Sequence, residues 1–243
     1  VLQKILVPMI GKSFHKWLKK WKRIIKMSKN KVDIEKEATK LINNYGKEIG
    51  RSIKPPIPVF EMIEFLGYDV DFRKDGLYEN HNYLGGLLID EKIVELNENL
   101  SNQEGRMHFT VAHEIGHIVL HANGDMKSEE QSNSMCRTTH ESGDHKSDKI
   151  EREADAFASY LLMPKREVQD CFLRSRKKPY TFSRLLDVLR LRNYRNKRTK
   201  AIRFADKIKR EGGFDNVSKL AFLNRLIELN LMKGIQFQKN FIN

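Results

Sequence analysis

Residues 109–121 read FTVAHEIGHIVLH, and His113-Glu114-x-x-His117 within them is a pattern whose chemistry requires a helix. At 3.6 residues per turn, side chains four apart project from the same side, about 40° from each other. Both imidazoles can therefore reach one ion at the roughly 2.0–2.1 Å of a zinc–nitrogen bond. Glu114 stands one residue on, beside the histidines but out of line with them. From there it reaches a water on the metal rather than the metal itself. The metal acidifies that water and polarises a carbonyl, while the carboxylate takes the proton. On the opposite side, Ala112, Ile115 and Val119 make an apolar face, and Gly116 lets another element approach closely. The segment is thus a helix with one face for a core and one for a metal.

A catalytic zinc takes a third protein ligand and keeps one position open. Residues 151–164, EREADAFASYLLMP, predict a second helix, over 150–163, that stops at Pro164. Glu151 and Asp155 are four apart and share a face of it. One carboxylate can bind the ion while the other hydrogen-bonds a ligand histidine and fixes its ring. Glu151 is the expected third ligand. Glu153, about 160° round the helix from it, is the rival.

Around these motifs the chain divides by charge. Residues 1–32 carry ten Lys/Arg and no acid, residues 33–164 balance at −11, and residues 165–210 hold 17 basic against four acidic side chains. An acidic middle between basic flanks predicts three regions: a basic amphipathic segment over 1–32, a metallopeptidase core over 33–164, and a basic helical region over 165–243. In the first, Phe14, Trp17, Leu18, Trp21, Ile24 and Ile25 fall at helical spacing with lysines opposite. Met27 opens a stretch that reads like an ordinary N-terminus, so residues 1–26 could lie upstream of the native start and are given no function here.

Within the middle, Ile34, Ala38, Leu41, Ile42, Tyr45 and Ile49 predict a helix from Asp33. Pro55, Pro56 and Pro58 break the chain before a second helix that ends at Gly67. Short strands are expected over 68–97, notably Leu87–Ile89 and Ile93–Leu96 around an Asp-Glu-Lys turn. The polar stretch 122–149 reads as a long loop. In the basic region, Phe182, Leu185, Leu186 and Leu189, then Ala201, Ile202, Ala205 and Ile208, continue at helical spacing. The fold class is α+β. No apolar run approaches the roughly 20 residues that span a bilayer, so a membrane protein is not expected. Two cysteines, Cys136 and Cys171, make no disulfide framework and fit a reducing, cytoplasmic compartment.

FTVAHEIGHIVLH followed by EREADAFASYLLMP resembles the ImmA/IrrE family of metallopeptidases, as does GGLLIDEKIVELNENLS before them. The resemblance covers roughly residues 33–164, and NVSKLAFLNRLIELNLM is similar to the helical segment that follows the core in many members. It implies a gluzincin-like core holding Zn²⁺, with His113, His117 and Glu151 as ligands and Glu114 as general base. It also implies a protein substrate, a helix-turn-helix repressor, because several members cleave such repressors and so induce genes. The chain departs from the family in its long 122–149 loop and in its basic 165–210 section, which matches nothing in the pattern.

Other polar residues are read more plainly. His121 suits a helix C-terminus. His140, His145 and Cys136 belong to the polar loop, and Tyr160 reads as packing. The basic C-terminal region is a candidate contact for nucleic-acid phosphates, although it has no recognisable base-reading module. Two functions compete: a zinc endopeptidase acting on a repressor, and a DNA- or protein-binding anti-repressor with a non-catalytic metal site. Glu114 favours the first, because a structural site would close its ligand set and need no base.

Overall fold

The computed structural model describes residues 33–74, 84–121, 134–137, 147–182 and 194–235. The amphipathic segment over 1–32, and Leu185, Leu186 and Leu189, lie outside the described residues. The protein is α+β, with a small sheet against a helical body. No helix among the described residues is long and apolar enough to cross a membrane.

Helix α1 covers residues 33–48 and buries Ile34, Ala38, Leu41 and Tyr45 of the expected face, while Ile42 is half-buried and Ile49 lies exposed beyond the helix end. After the prolines, α2 (Val59–Phe65) buries Val59, Met62 and Ile63. The turn after α2 passes through Gly67 at φ 81°, a left-handed conformation that glycine adopts without strain. Strands β1 (Asp69–Arg73), β2 (Gly85–Leu88), β3 (Ile93–Asn97) and β4 (Ser134–Arg137) form one sheet in the order β1-β3-β2-β4. β2 and β3 are antiparallel with Leu87 opposite Val94, and β1 runs parallel to β3. Strand β4 corrects the expectation of an unbroken loop over 122–149. Its four residues pair antiparallel with β2 at the sheet edge, placing Cys136 opposite Gly86. A strand this short, in a polar stretch, is stabilised by its partner and not by its own propensity.

Helix α3 (Glu104–Leu120) carries the motif and begins five residues before the expected start. Gly105, which weakens a helix by propensity, is where α3 meets the C-terminal region. A Cβ there would lie 3.1 Å from the backbone nitrogen of Ser218. Helix α4 (Ser147–Leu162) follows, then α5 (Lys165–Ser175), α6 (Tyr194–Glu211) and α7 (Lys219–Glu228). Two short parallel strands, β5 (Tyr180–Thr181) and β6 (Met232–Lys233), close the region, and no local pattern announces them.

One apolar core runs through both halves. Ile34 of α1, Leu87 of β2, Ile115 of α3, Phe157 of α4, Phe172 of α5, Ala205 of α6 and Phe222 of α7 all belong to it. Each large apolar side chain so buried contributes about 1.5–3 kcal/mol. Polar contacts tie the same elements. Asn216 Nδ2 donates to the Ile57 carbonyl at 2.9 Å. The buried Arg225 guanidinium reaches Glu35 of α1, Glu228 at 3.0 Å and the Met163 carbonyl at 3.1 Å. An arginine buried this deeply is tolerated because its donors are shared among carboxylates and a carbonyl.

Candidate metal centre

Gly116 decides how the two motif helices meet. A Cβ at this position would stand 3.1 Å from both Cα and O of Ala154 and 3.2 Å from the Phe157 Cβ. Backbone atoms cannot rotate away, so a side chain here would push α4 outward by a few tenths of an ångström, and glycine lets it lie this close to α3. The crossing brings residues 113 and 117 of one helix to 151 and 155 of the other.

There the side chains converge. The Nε2 atoms of His113 and His117 are 2.9 Å apart, with ring planes at 74°. Glu151 Oε2 lies 3.1 Å from His113 Nε2, and its Oε1 lies 3.4 Å from His117 Nε2. The ligand atoms offered by His113, His117 and Glu151 lie within 4.8 Å of one another. His113 Nδ1 lies 2.9 Å from Asp155 Oδ1. A carboxylate accepts only an N–H, so this contact assigns the proton to Nδ1 and leaves the Nε2 lone pair facing the cluster. Two imidazole nitrogens and a carboxylate pointing at one spot repel unless a cation or protons lie between them. The donor set therefore fits a borderline-soft divalent ion such as zinc.

The electrostatics agree. Burial alone would raise the Glu151 carboxyl, but His113 and His117, when protonated, outweigh it through hydrogen bonds and charge and hold the group below the usual carboxylate range, as a cation held between them would. The histidines are each 1% exposed, whereas the Glu151 and Asp155 side chains are 35% and 34% exposed, so the cluster is closed on the α3 side and open along α4.

The family model for the IrrE N-terminal-like domain, a peptidase family, matches residues 68–191. The chain belongs to this peptidase family. No curated protein matches it. The matched span of this IrrE-like domain holds α3, α4 and the four-stranded sheet, and with them the whole donor cluster.

The remaining predicted residues of this IrrE-like domain fall as follows. Glu114 follows the first histidine, is 1% exposed, and is not among the three converging donors. Glu153, the rival for third ligand, points elsewhere: its carboxylate lies 3.4 Å from Lys149 and 3.9 Å from His121. His121 caps α3, its backbone N–H donating to the His117 carbonyl at 2.9 Å, and its ring is buried 5.8 Å from that of His117. Tyr160 donates to Glu228 at 2.9 Å beneath the Arg225 guanidinium. Burial, reinforced by the Glu228 charge, pushes its phenol well above the ordinary value. His140 and His145 lie outside the described residues. The Arg225 network was not anticipated, because its partner Glu35 is 190 positions away and leaves no local signal.

Proposed function

We propose that the protein is a zinc-dependent endopeptidase with a gluzincin-like site. The observation that carries this reading is the convergence of His113, His117 and Glu151 within 4.8 Å, with Asp155 behind His113. In this reading His113, His117 and Glu151 hold the ion and Glu114 is the general base. Bound there, zinc supplies Lewis acidity toward a peptide carbonyl and lowers the pKa of water. The chain's own side chains do the rest. Asp155 holds His113 in the tautomer that presents Nε2. Glu114 takes the proton of the attacking water and returns it to the departing amine. The half-open α4 side admits the peptide.

The substrate we propose is a helix-turn-helix repressor, cleaved in the cytoplasm with induction of the genes it silences. Support comes from family membership together with the resemblance of 109–121 and 151–164 to ImmA/IrrE members, several of which cleave such repressors.

The test is Glu114→Gln, assayed on a co-expressed repressor from the same locus by mass spectrometry and by derepression. The amide is nearly isosteric, so zinc content and fold should be retained. It cannot accept a proton at neutral pH, so cleavage should fall at least about 100-fold, or roughly 2.7 kcal/mol. Cleavage as fast as wild type would refute hydrolysis by this motif. Release of uncut repressor from DNA, by wild type and Glu114→Gln alike, would install the anti-repressor reading instead.

A further inference from the structure

Among the described residues of 165–210, none of the cations belongs to the donor cluster, and the fold places several of them together. We infer that the outer face of α6, with the adjoining segment 176–178, is a docking surface for the phosphate backbone of duplex DNA.

The face follows from the helix. Ala201, Ala205 and Ile208 of α6 are buried, which fixes its inner side. At about 100° per residue, Lys200, Arg203, Lys207 and Arg210 fall within an arc of about 80° outside it, along about 15 Å of helix axis. All four are exposed. Phe204 borders the arc and packs against Tyr180 at 4.8 Å and Phe172 at 6.1 Å between ring centroids. The Arg176 guanidinium sits over the same Tyr180 ring at 5.0 Å. The exposed Arg176, Lys177 and Lys178 therefore flank the stripe on its Phe204 side.

Acid neutralises only part of this face. On α6, Asp206 is shared by Arg210 at 3.3 Å and Lys219 at 3.8 Å, and Glu211 pairs with Lys207 at 3.7 Å. Among the described residues, Lys200 and Arg203 have no acid within ion-pair distance. The other basic surface is concave. It is a groove of about 1100 Å³ between α1 and the start of α5. Its Lys36, Lys40 and Lys54 pair with Asp33, Glu37 and Glu167.

The shape and chemistry favour a nucleic-acid backbone. A straight row of Lys and Arg matches a linear array of phosphates and gives salt-dependent, sequence-independent binding. A protein partner would need apolar or aromatic anchors at the centre of the patch. Among the described residues the exposed large apolar side chains are Ile49, Phe65, Phe72, Leu173 and Leu220, none of them on α6. For the same reason the face offers a bilayer nothing to insert. The docking does not depend on the peptidase reading, since it uses none of the metal-site residues.

The experiment is fluorescence anisotropy of the full chain with a random duplex of about 25 bp, from about 50 to 200 mM salt. Wild type should bind, with affinity falling steeply as salt rises. A variant carrying Lys177→Gln, Lys178→Gln, Lys200→Gln and Arg203→Gln should lower the log–log salt slope by about 3 to 4, at roughly 0.9 per phosphate contact, and weaken binding at least about 10-fold. Lys36→Gln, Lys40→Gln, Lys47→Gln and Arg51→Gln together remove the same charge from the groove and should change little. Lys177→Arg, Lys178→Arg, Lys200→Arg and Arg203→Lys together preserve charge and should bind like wild type, and circular dichroism melting would verify the fold of each variant. No binding by wild type at about 50 mM salt, equal losses in both neutralised variants, or competition by poly-glutamate as effective as by duplex would each overturn the inference.

Discussion

On α3 the two histidines of the cluster are 1% exposed, whereas on α4 the Glu151 and Asp155 side chains are 35% and 34% exposed. The two helices enter one site under different constraints. α3 is packed on the sheet side, where a Cβ on Gly85 would come within 2.7 Å of Thr110, and on the α4 side at Gly116. Its imidazoles are therefore held by the core. α4 buries Ala154, Phe157, Ala158 and Leu161 on one side and leaves Glu151 and Asp155 at the rim. The buried helix supplies position, and the rim helix supplies charge and an opening. An ion held this way is anchored from one side and reachable from the other.

The sharpest way to break that comparison is to remove a buried ligand. His113→Ala or His117→Ala should abolish the roughly one zinc per chain expected by elemental analysis, because two remaining donors cannot keep an ion at useful affinity. Full occupancy in the double variant would move the metal elsewhere. Next in size is Glu151→Gln, which should weaken zinc binding by at least about 10-fold in a chelator competition. Glu153→Gln, whose carboxylate faces Lys149 and His121, should leave affinity unchanged. Reversed effects would show that the rim of α4 is turned differently in solution. Asp155→Asn is the smallest and most specific change. The amide can still meet His113 Nδ1 but no longer demands that it carry the proton. Affinity should fall by roughly 10-fold, the lower end for a residue that orients a ligand. No change would mean that the buried packing of α3 alone orients the ring.

Much of the site was legible because it depends on helical periodicity. His113 and His117 share a side, as do Glu151 and Asp155, wherever those segments are helical. Glu151 rather than Glu153 could be favoured because it shares its helix face with a second carboxylate, Asp155. The less legible parts are those where a distant partner outweighs local preference. Gly105 and its polar neighbours argue against a helix start, yet α3 begins there against the Ser218 backbone. Ser134–Arg137 lies in a polar stretch and becomes a strand because β2 offers an edge.

By itself the sequence determined which residues could be ligands and base, on which helices and on which faces, together with the basic character of residues 165–210. These properties follow from the fixed rise and turn of one helix at a time. The tertiary structure alone decided that α4 crosses α3 at Gly116, so that two faces become one donor cluster. It also decided that Arg225 of α7 is locked to Glu35 of α1, and that Tyr180–Thr181 pairs with Met232–Lys233. Such contacts join residues from tens of positions apart to 190 apart. Their energy comes from burial and pairing across the whole core, which no local window of sequence contains.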